Sequence, residues 1–208
     1  MKRFQKLFQY YYPMGITRAL WTCLRVLVTP FAKLDKIIPN SGLIMDVGCG
    51  NGGVANYLST GGRRRRLIGV DYSRSRINEA LRSVHGRKNI NFVYGDVTSK
   101  KLPRADCYFF VDVLHHIPFK DQIKLINRLV SLMNKKTMLA IKEVDTSNTL
   151  PFWFGQISEK ILYPTEKIYA RSKRDWLRIF SKMGLSYQIE AGTLYFPDST
   201  LIYILSKK

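Results

Sequence analysis

The residues from Leu43 to Gly53 read Leu-Ile-Met-Asp-Val-Gly-Cys-Gly-Asn-Gly-Gly, an apolar run passing directly into glycines. Gly48, Gly50 and Gly53 satisfy G-x-G-x-x-G, a spacing that lets backbone approach a nucleotide without side-chain obstruction and then opens a helix. Gly48, Gly50 and Gly52 also make an alternating G-x-G-x-G turn, with Cys49 and Asn51 between them. Asp46 sits inside the strand end, where a carboxylate gains nothing beside a pyrophosphate but gains beside a cationic ligand. Asp71 closes the next apolar run 23 positions after Gly48, close to the separation of a carboxylate that accepts from ribose hydroxyls. Later in the chain, His115 and His116 follow another apolar run. Histidine exchanges protons near neutral pH, and open α/β sheets gather ligands at the carboxyl ends of their strands. Plainer roles stand beside these: a tight strand-to-helix turn for the glycines, a turn-opening aspartate for Asp71, and packing or helix-start roles for the two histidines. His85, before Gly86, reads as a surface residue.

Those residues need a scaffold of alternating strands and helices. Strands are expected at Leu43–Val47, Leu67–Asp71, Ile90–Tyr94, Ala105–Asp112 and Thr137–Val144, with helices at Gly53–Ser59, Arg74–Val84 and Lys120–Met133. The last helix places Ile123, Ile126, Leu129, Val130 and Met133 on one stripe. The β-α-β-α order predicts a parallel sheet with right-handed crossovers. A helix from Lys173 to Met183, stopped by Gly184, precedes the runs Leu185–Ala191 and Leu201–Ser206, whose short separation, holding Gly192, Pro197 and Asp198, predicts an antiparallel hairpin at the sheet edge. Residues 1–42 and 146–171 fall outside this pattern and are rich in aromatic and basic residues.

The 208 residues fit one elaborated domain. Hydrophobic residues make up 46% and charged residues 24%, which excludes disordered, collagenous and disulfide-framework classes. Thirty-four Lys and Arg against 15 Asp and Glu leave a net charge of +19, an attraction to polyanions. Cys23, Cys49 and Cys107 are too dispersed for a metal site, so no metal is expected, and a reducing cytoplasm is the default compartment. No cleavable leader is read at the N-terminus, and Ala19–Ala32, interrupted by Arg25 and Pro30, is too short to span a bilayer.

The glycine loop, together with Asp46, resembles motif I of the class I S-adenosylmethionine-dependent methyltransferases. The resemblance continues in chain order through Gly69-Val70-Asp71, Gly95-Asp96-Val97 and Leu114-His115-His116-Ile117, the last matching a Leu-His-His segment of small-molecule methyltransferases. It covers Leu43 to about Val144 strongly and the closing hairpin weakly; Asn134-Lys135-Lys136 replaces a common Pro-Gly-Gly turn. It implies a Rossmann-like α/β fold, a doubly wound sheet of seven strands in the order 3-2-1-4-5-7-6 with a C-terminal antiparallel hairpin. Residues 1–42 are then an N-terminal helical extension and residues 43–208 the methyltransferase domain, with 146–171 a substrate-side insertion. The implied cofactor is S-adenosylmethionine, held by Asp46, Gly48, Cys49, Gly50, Asn51, Gly52, Asp71, Tyr72, Asp96, Val97 and Asp112. Asp71 would accept from the ribose, and Asp96 with the Val97 N–H would meet adenine; for Asp96 turn chemistry is the alternative, and Asp112 either faces the cofactor or caps a turn.

Methyl transfer is an in-line displacement dominated by positioning. A hydroxyl or acidic-carbon acceptor also needs a base, for which His116 is preferred over His115 as nearer the pocket mouth. The motifs of base- and amide-modifying enzymes, Asn-Pro-Pro-Tyr or Asp-Pro-Pro-Tyr, are absent, and no cysteine follows a proline. Lys142, Glu143 and Asp145 are candidates to line the acceptor pocket, with Pro151-Phe152-Trp153-Phe154 as apolar walls. These point to a small, apolar acceptor such as a quinone precursor, polyketide, acyl or lipid-linked molecule. RNA, favoured by the charge and by Arg63–Arg66, is the competing substrate, although such a run is usually a solvated loop; a non-catalytic cofactor-binding module is the remaining class. Ile16, Leu20, Leu24, Leu27, Phe31 and Leu34 recur at helix spacing beside Trp21, with Arg18, Arg25, Lys33 and Lys36 supplying charge. That stripe suits either a peripheral helix on an anionic membrane or packing on the core, with Pro30 marking a break.

Overall fold

The computed structural model describes residues 2–61, 64–147, 167–192 and 200–208. Three helices, α1 (Lys2–Tyr11), α2 (Ile16–Val28) and α3 (Phe31–Ile37), precede the first strand, so the N-terminal extension is helical and Pro30 divides it. Then follow β1 (Ser41–Val47), α4 (Gly53–Ser59), β2 (Arg64–Asp71), α5 (Arg74–Arg82), β3 (Ile90–Tyr94), β4 (Cys107–Val111), α6 (Phe119–Leu132) and β5 (Met138–Val144). The chain closes with α7 (Lys173–Lys182), β6 (Leu185–Ala191) and β7 (Thr200–Lys207). The seven strands form one sheet in the order β3-β2-β1-β4-β5-β7-β6, a Rossmann-like arrangement as expected. No helix among the described residues is long and apolar enough to cross a membrane.

By its contacts the chain divides into two compact units, residues 1–109 and 110–208. In the first, β1 runs parallel to β2 in the register Ser41–Arg64 through Val47–Val70, β2 parallel to β3, and β1 parallel to the start of β4. All five residues of β4 are buried, the mark of a central strand covered on both faces, which is why its sequence is a continuous apolar run. Only alternate residues of the arginine run are solvated. Arg65 is 1% exposed and donates to the carbonyls of Asp35 (2.9 Å), Ile38 (2.6 Å) and Pro39 (2.6 Å) and to the Asp35 carboxylate. The expected solvated loop is thus corrected for Arg64–Arg66: they lie in β2, where the period-two alternation turns Arg65 inward to fasten the end of α3. Arg63 lies outside the described residues.

The N-terminal stripe is likewise split. Phe31 and Leu34 are buried, but on α2 it is Ala19, Thr22 and Cys23 that face inward, while Ile16, Leu20, Trp21 and Leu24 are exposed. Two of its basic residues are engaged: Arg18 pairs with Glu79 at 2.9 Å, and Arg25 acts on Asp46.

In the second unit β7 pairs antiparallel with both β5 and β6, placing β6 at the sheet edge; residues 193–199, which hold Pro197 and Asp198, lie outside the description. Ser172 caps α7 by accepting from the Asp175 N–H, and Gly184 takes φ 68° just past its end. On α6 the buried positions are Gln122, Leu125, Ile126 and Leu129, followed by Met133; Ile123 and Val130 of the expected stripe are only half-buried. The shift brings a glutamine inward because it has carbonyls to serve there.

Candidate functional site

The first unit carries the glycine loop. Gly48 and Cys49 donate from their backbone N–H groups to the Val70 carbonyl (2.8 and 3.1 Å), which locks the loop onto the end of β2. Gly50 takes φ 56° with open space where a Cβ would stand, and donates its N–H to Asp71 Oδ2 at 2.8 Å. Gly52 takes φ 81° and admits no side chain, since a Cβ there would stand 2.4 Å from the Phe92 ring. Asp71 Oδ1 accepts the Ser73 N–H at 2.8 Å, so this carboxylate opens the turn into α5 and holds the glycine loop at once.

Asp46 is 2% exposed, and its Oδ2 has no hydrogen-bond partner among the described residues. Burial, and after it the charge of Asp71, pushes its pKa up to about 8 against the opposing influence of Arg25 and the Ala55 N–H. A buried carboxyl left in this condition is costly unless neutralised. Cys49 is buried, and burial holds its thiol well above the ordinary range, so it is not a nucleophile. Tyr72 is exposed and Val97 buried. Asp96 is exposed and its Oδ1 accepts from the Thr98 N–H (2.7 Å) and hydroxyl (2.8 Å), the turn chemistry that stood as its alternative role.

The second unit carries the histidines. Glu143, on β5, accepts the N–H groups of Val113 (2.9 Å) and Leu114 (2.6 Å) on one oxygen and meets His115 Nδ1 at 2.6 Å on the other. His115 and Glu143 side chains are each 2% exposed. His116 is half-buried with its ring 4.2 Å from that of His115. The carboxylate partner therefore belongs to His115, not to His116. Asp112 adopts φ 56°, its N–H donates to the Lys142 carbonyl, and its carboxylate takes the Lys142 ammonium at 2.8 and 3.0 Å. Lys142 and Glu143 are consecutive on a strand and so serve opposite faces of it. Asp145 Oδ1 is taken up by the N–H groups of Ser147 (3.0 Å) and Lys173 (2.7 Å), a structural duty. Residues 151–154, expected as apolar walls, lie outside the described residues.

Several supporting residues escape a reading of the sequence. Gln122 is fully buried and donates to the carbonyls of Leu114 (2.9 Å), Ile117 (2.9 Å) and Tyr169 (2.8 Å) while accepting from Arg171 (2.7 Å); it pins the Leu-His-His turn. Tyr11 donates its hydroxyl to the Asn51 carbonyl at 2.6 Å and accepts from Asn56, and Asn51 donates to Thr22 at 3.4 Å. The extension is thus fastened to the glycine loop. The one available signal was a polar residue at a core position of each helix, Gln122 in α6 and Asn56 in α4. Among the described residues no group of three His, Cys, Asp or Glu side chains is placed to hold a metal.

Residues 44–136 match the family model described as a methyltransferase domain. No curated protein sequence matches the chain. Among solved structures, magnesium protoporphyrin IX methyltransferase from Synechocystis PCC 6803, with bound S-adenosylhomocysteine (SAH), is 22% identical over 92% of this chain and 85% of its own, with TM-score 0.66. An O-methyltransferase from neocarzinostatin biosynthesis, in complex with SAH and 1,4-dihydroxy-2-naphthoic acid, is 15% identical over 91% of this chain and 56% of its own, TM-score 0.70. Human N-acetylserotonin methyltransferase in complex with S-adenosylmethionine is 18% identical over 91% and 55%, TM-score 0.67. At these identities the likeness fixes the fold. Together with that fold, the family model matches residues 44–136 to a methyltransferase domain. The loop suits a cationic, nucleotide-like ligand: the orphaned Asp46 oxygen calls for a cation, and the open space at Gly50 for close approach to backbone.

Proposed function

We propose that the chain is an S-adenosylmethionine-dependent methyltransferase that methylates a small, lipophilic acceptor at a hydroxyl or acidic carbon, with His115 as the base. The observation that carries the reading is the 2.6 Å contact between His115 Nδ1 and Glu143 at the end of β4. A carboxylate accepts, so Nδ1 bears the proton and the neutral ring keeps its lone pair on Nε2. Glu143 also stabilises the imidazolium formed once His115 has taken the acceptor's proton. S-adenosylmethionine supplies the methyl group as a sulfonium. Asp46 and the glycine loop are assigned to its methionine end, Asp71 to the ribose, and Asp96 with Val97 to the adenine. Gln122 fixes the turn that carries the base, and Asp112, tied to Lys142, shapes the same stretch of chain. An apolar acceptor partitions into bilayers, so the reading places the enzyme in the cytoplasm at a membrane surface.

The test is SAH formation against hydroxylated aromatic acceptors, acyl thioesters and total RNA. Turnover of an apolar small molecule, falling about 10² to 10⁴-fold in His115→Ala with cofactor affinity unchanged, supports the reading. Less than a threefold loss in His115→Ala, in a folded protein, transfers the role to His116 or removes it. RNA is the second reading on the strength of the +19 charge, weakened by the structural use of Arg65; methylation of RNA alone would establish it.

A further inference from the structure

The geometry points to the outer face of α2 as a docking surface for an anionic lipid bilayer. Of the eleven large apolar side chains exposed among the described residues, six fall between positions 4 and 24: Phe4, Tyr12, Ile16, Leu20, Trp21 and Leu24, each 40–57% exposed. Ile16, Leu20 and Leu24 recur every fourth residue and form one ridge along the helix. Among the described side chains of α2, the buried ones are Ala19, Thr22 and Cys23. A helix whose whole task was to cover a core would turn its large apolar residues in and its small ones out. From Ile16 to Leu24 this one does the reverse, and a contiguous exposed apolar ridge marks an interaction site.

Charge selects the occupant. Residues 1–45 hold seven Lys and Arg and a single acidic residue, Asp35, which is buried against Arg3 and Arg65. The segment therefore presents exposed cations, Lys2, Lys6 and Lys36 among them, and no exposed carboxylate. A second copy of the chain would bring the same positive charge to the contact. Nucleic acid would neutralise the lysines but leave the aliphatic ridge in water. An anionic bilayer accepts both, the ridge at the acyl boundary and the lysines among the headgroups, with Trp21 at the interface. With 13 residues, about 20 Å of helix, α2 lies in the surface and does not span it. Its inward face and α1 meet the glycine loop through Thr22 and Tyr11, so the docked face lies behind the cofactor loop.

This inference stands apart from the choice of acceptor, because its test reads binding and not turnover. The full chain is floated with vesicles of phosphatidylcholine alone and of phosphatidylcholine with phosphatidylglycerol, at low and high salt. Leu20→Glu/Leu24→Glu and Lys2→Glu/Lys6→Glu are compared with it, all at fully exposed or half-exposed positions and checked for fold by circular dichroism. Arg18 and Arg25 are left intact because they serve Glu79 and Asp46. Flotation with the anionic vesicles, reversed by salt and reduced at least about tenfold in either variant, is expected. A blue shift of emission on vesicle addition, absent in Trp21→Phe, is expected with it. A full chain that stays in the soluble fraction at low salt with anionic vesicles overturns the proposal. So does flotation unaltered by Leu20→Glu/Leu24→Glu, and so does a dimer, seen by light scattering, that this variant dissolves, since the face is then covered by a second copy.

Discussion

The proposed place of Asp46 beside a cationic cofactor predicts how binding should respond to pH. Its carboxyl, buried at the end of β1, has its pKa pushed from 3.8 to about 8 by burial and by Asp71. At pH 7 such a group is about nine-tenths protonated. A cationic ligand beside it favours the carboxylate, so binding S-adenosylmethionine should release nearly one proton at pH 7 and only about a tenth of one at pH 9. By linkage the affinity climbs, by up to about tenfold per pH unit, as pH rises towards 8 and levels off above. The empty protein carries the complementary penalty. A pKa raised by folding favours the native state most below pH 4, and that advantage drains away as pH rises towards 8; at 1.36 kcal/mol per pK unit the span from 3.8 to about 8 corresponds to about 6 kcal/mol. Asp46→Asn should therefore raise the Tm of the cofactor-free protein at pH 9 while weakening cofactor binding. Titration calorimetry at each pH, in buffers of different ionisation enthalpy, counts the protons, and the Asn variant subtracts those of the ligand's own amine. Equal proton release from wild type and Asp46→Asn would falsify the placement of a cation beside Asp46.

Asp71→Asn keeps the volume but loses the charge that receives the Gly50 and Ser73 N–H groups, and should weaken S-adenosylmethionine by about 1.5–3 kcal/mol; unchanged affinity in a folded variant removes Asp71 from the site. Arg65→Met leaves the Asp35 carboxylate with Arg3 and strips three carbonyls of a donor, so urea unfolding should show a loss of about 3–5 kcal/mol; a loss under 1 kcal/mol contradicts the buried staple. Burial alone raises the Asp35 pKa, but the hydrogen bonds from Arg3 and Arg65 outweigh it and hold the pKa below 3.8. The stability tied to that depression is present above about pH 4 and is lost as pH falls further. Arg65→Met should therefore flatten the acid limb of a stability-against-pH curve, and an unchanged limb would assign acid sensitivity elsewhere.

Much of the fold is written locally. Gly53–Ser59, Ile90–Tyr94 and Leu185–Ala191 have the boundaries expected from apolar runs and turn residues, because turn residues, among them Gly52 and Gly184 at positive φ just before the first and last of these, constrain their own neighbourhood whatever the remainder of the chain does. The strand order followed from resemblance in the motifs, and the glycine loop with Asp46 and Asp71 was legible because their spacing is itself the signal. What periodicity cannot express is which face of an apolar segment finds a partner. On α6 the buried stripe turned to admit Gln122, and on α2 the large residues turned outward, since both outcomes depend on groups brought by distant segments. Arg65 read as part of a solvated run until Asp35 and three carbonyls, 26 to 30 positions earlier, came within reach. His115 and His116 are equivalent in sequence, and only Glu143, 28 positions on, distinguishes them. Hydrogen-bond partners of buried polar groups are chosen across the sheet, between segments that share no local pattern, so the identity of the oriented histidine belonged to tertiary structure.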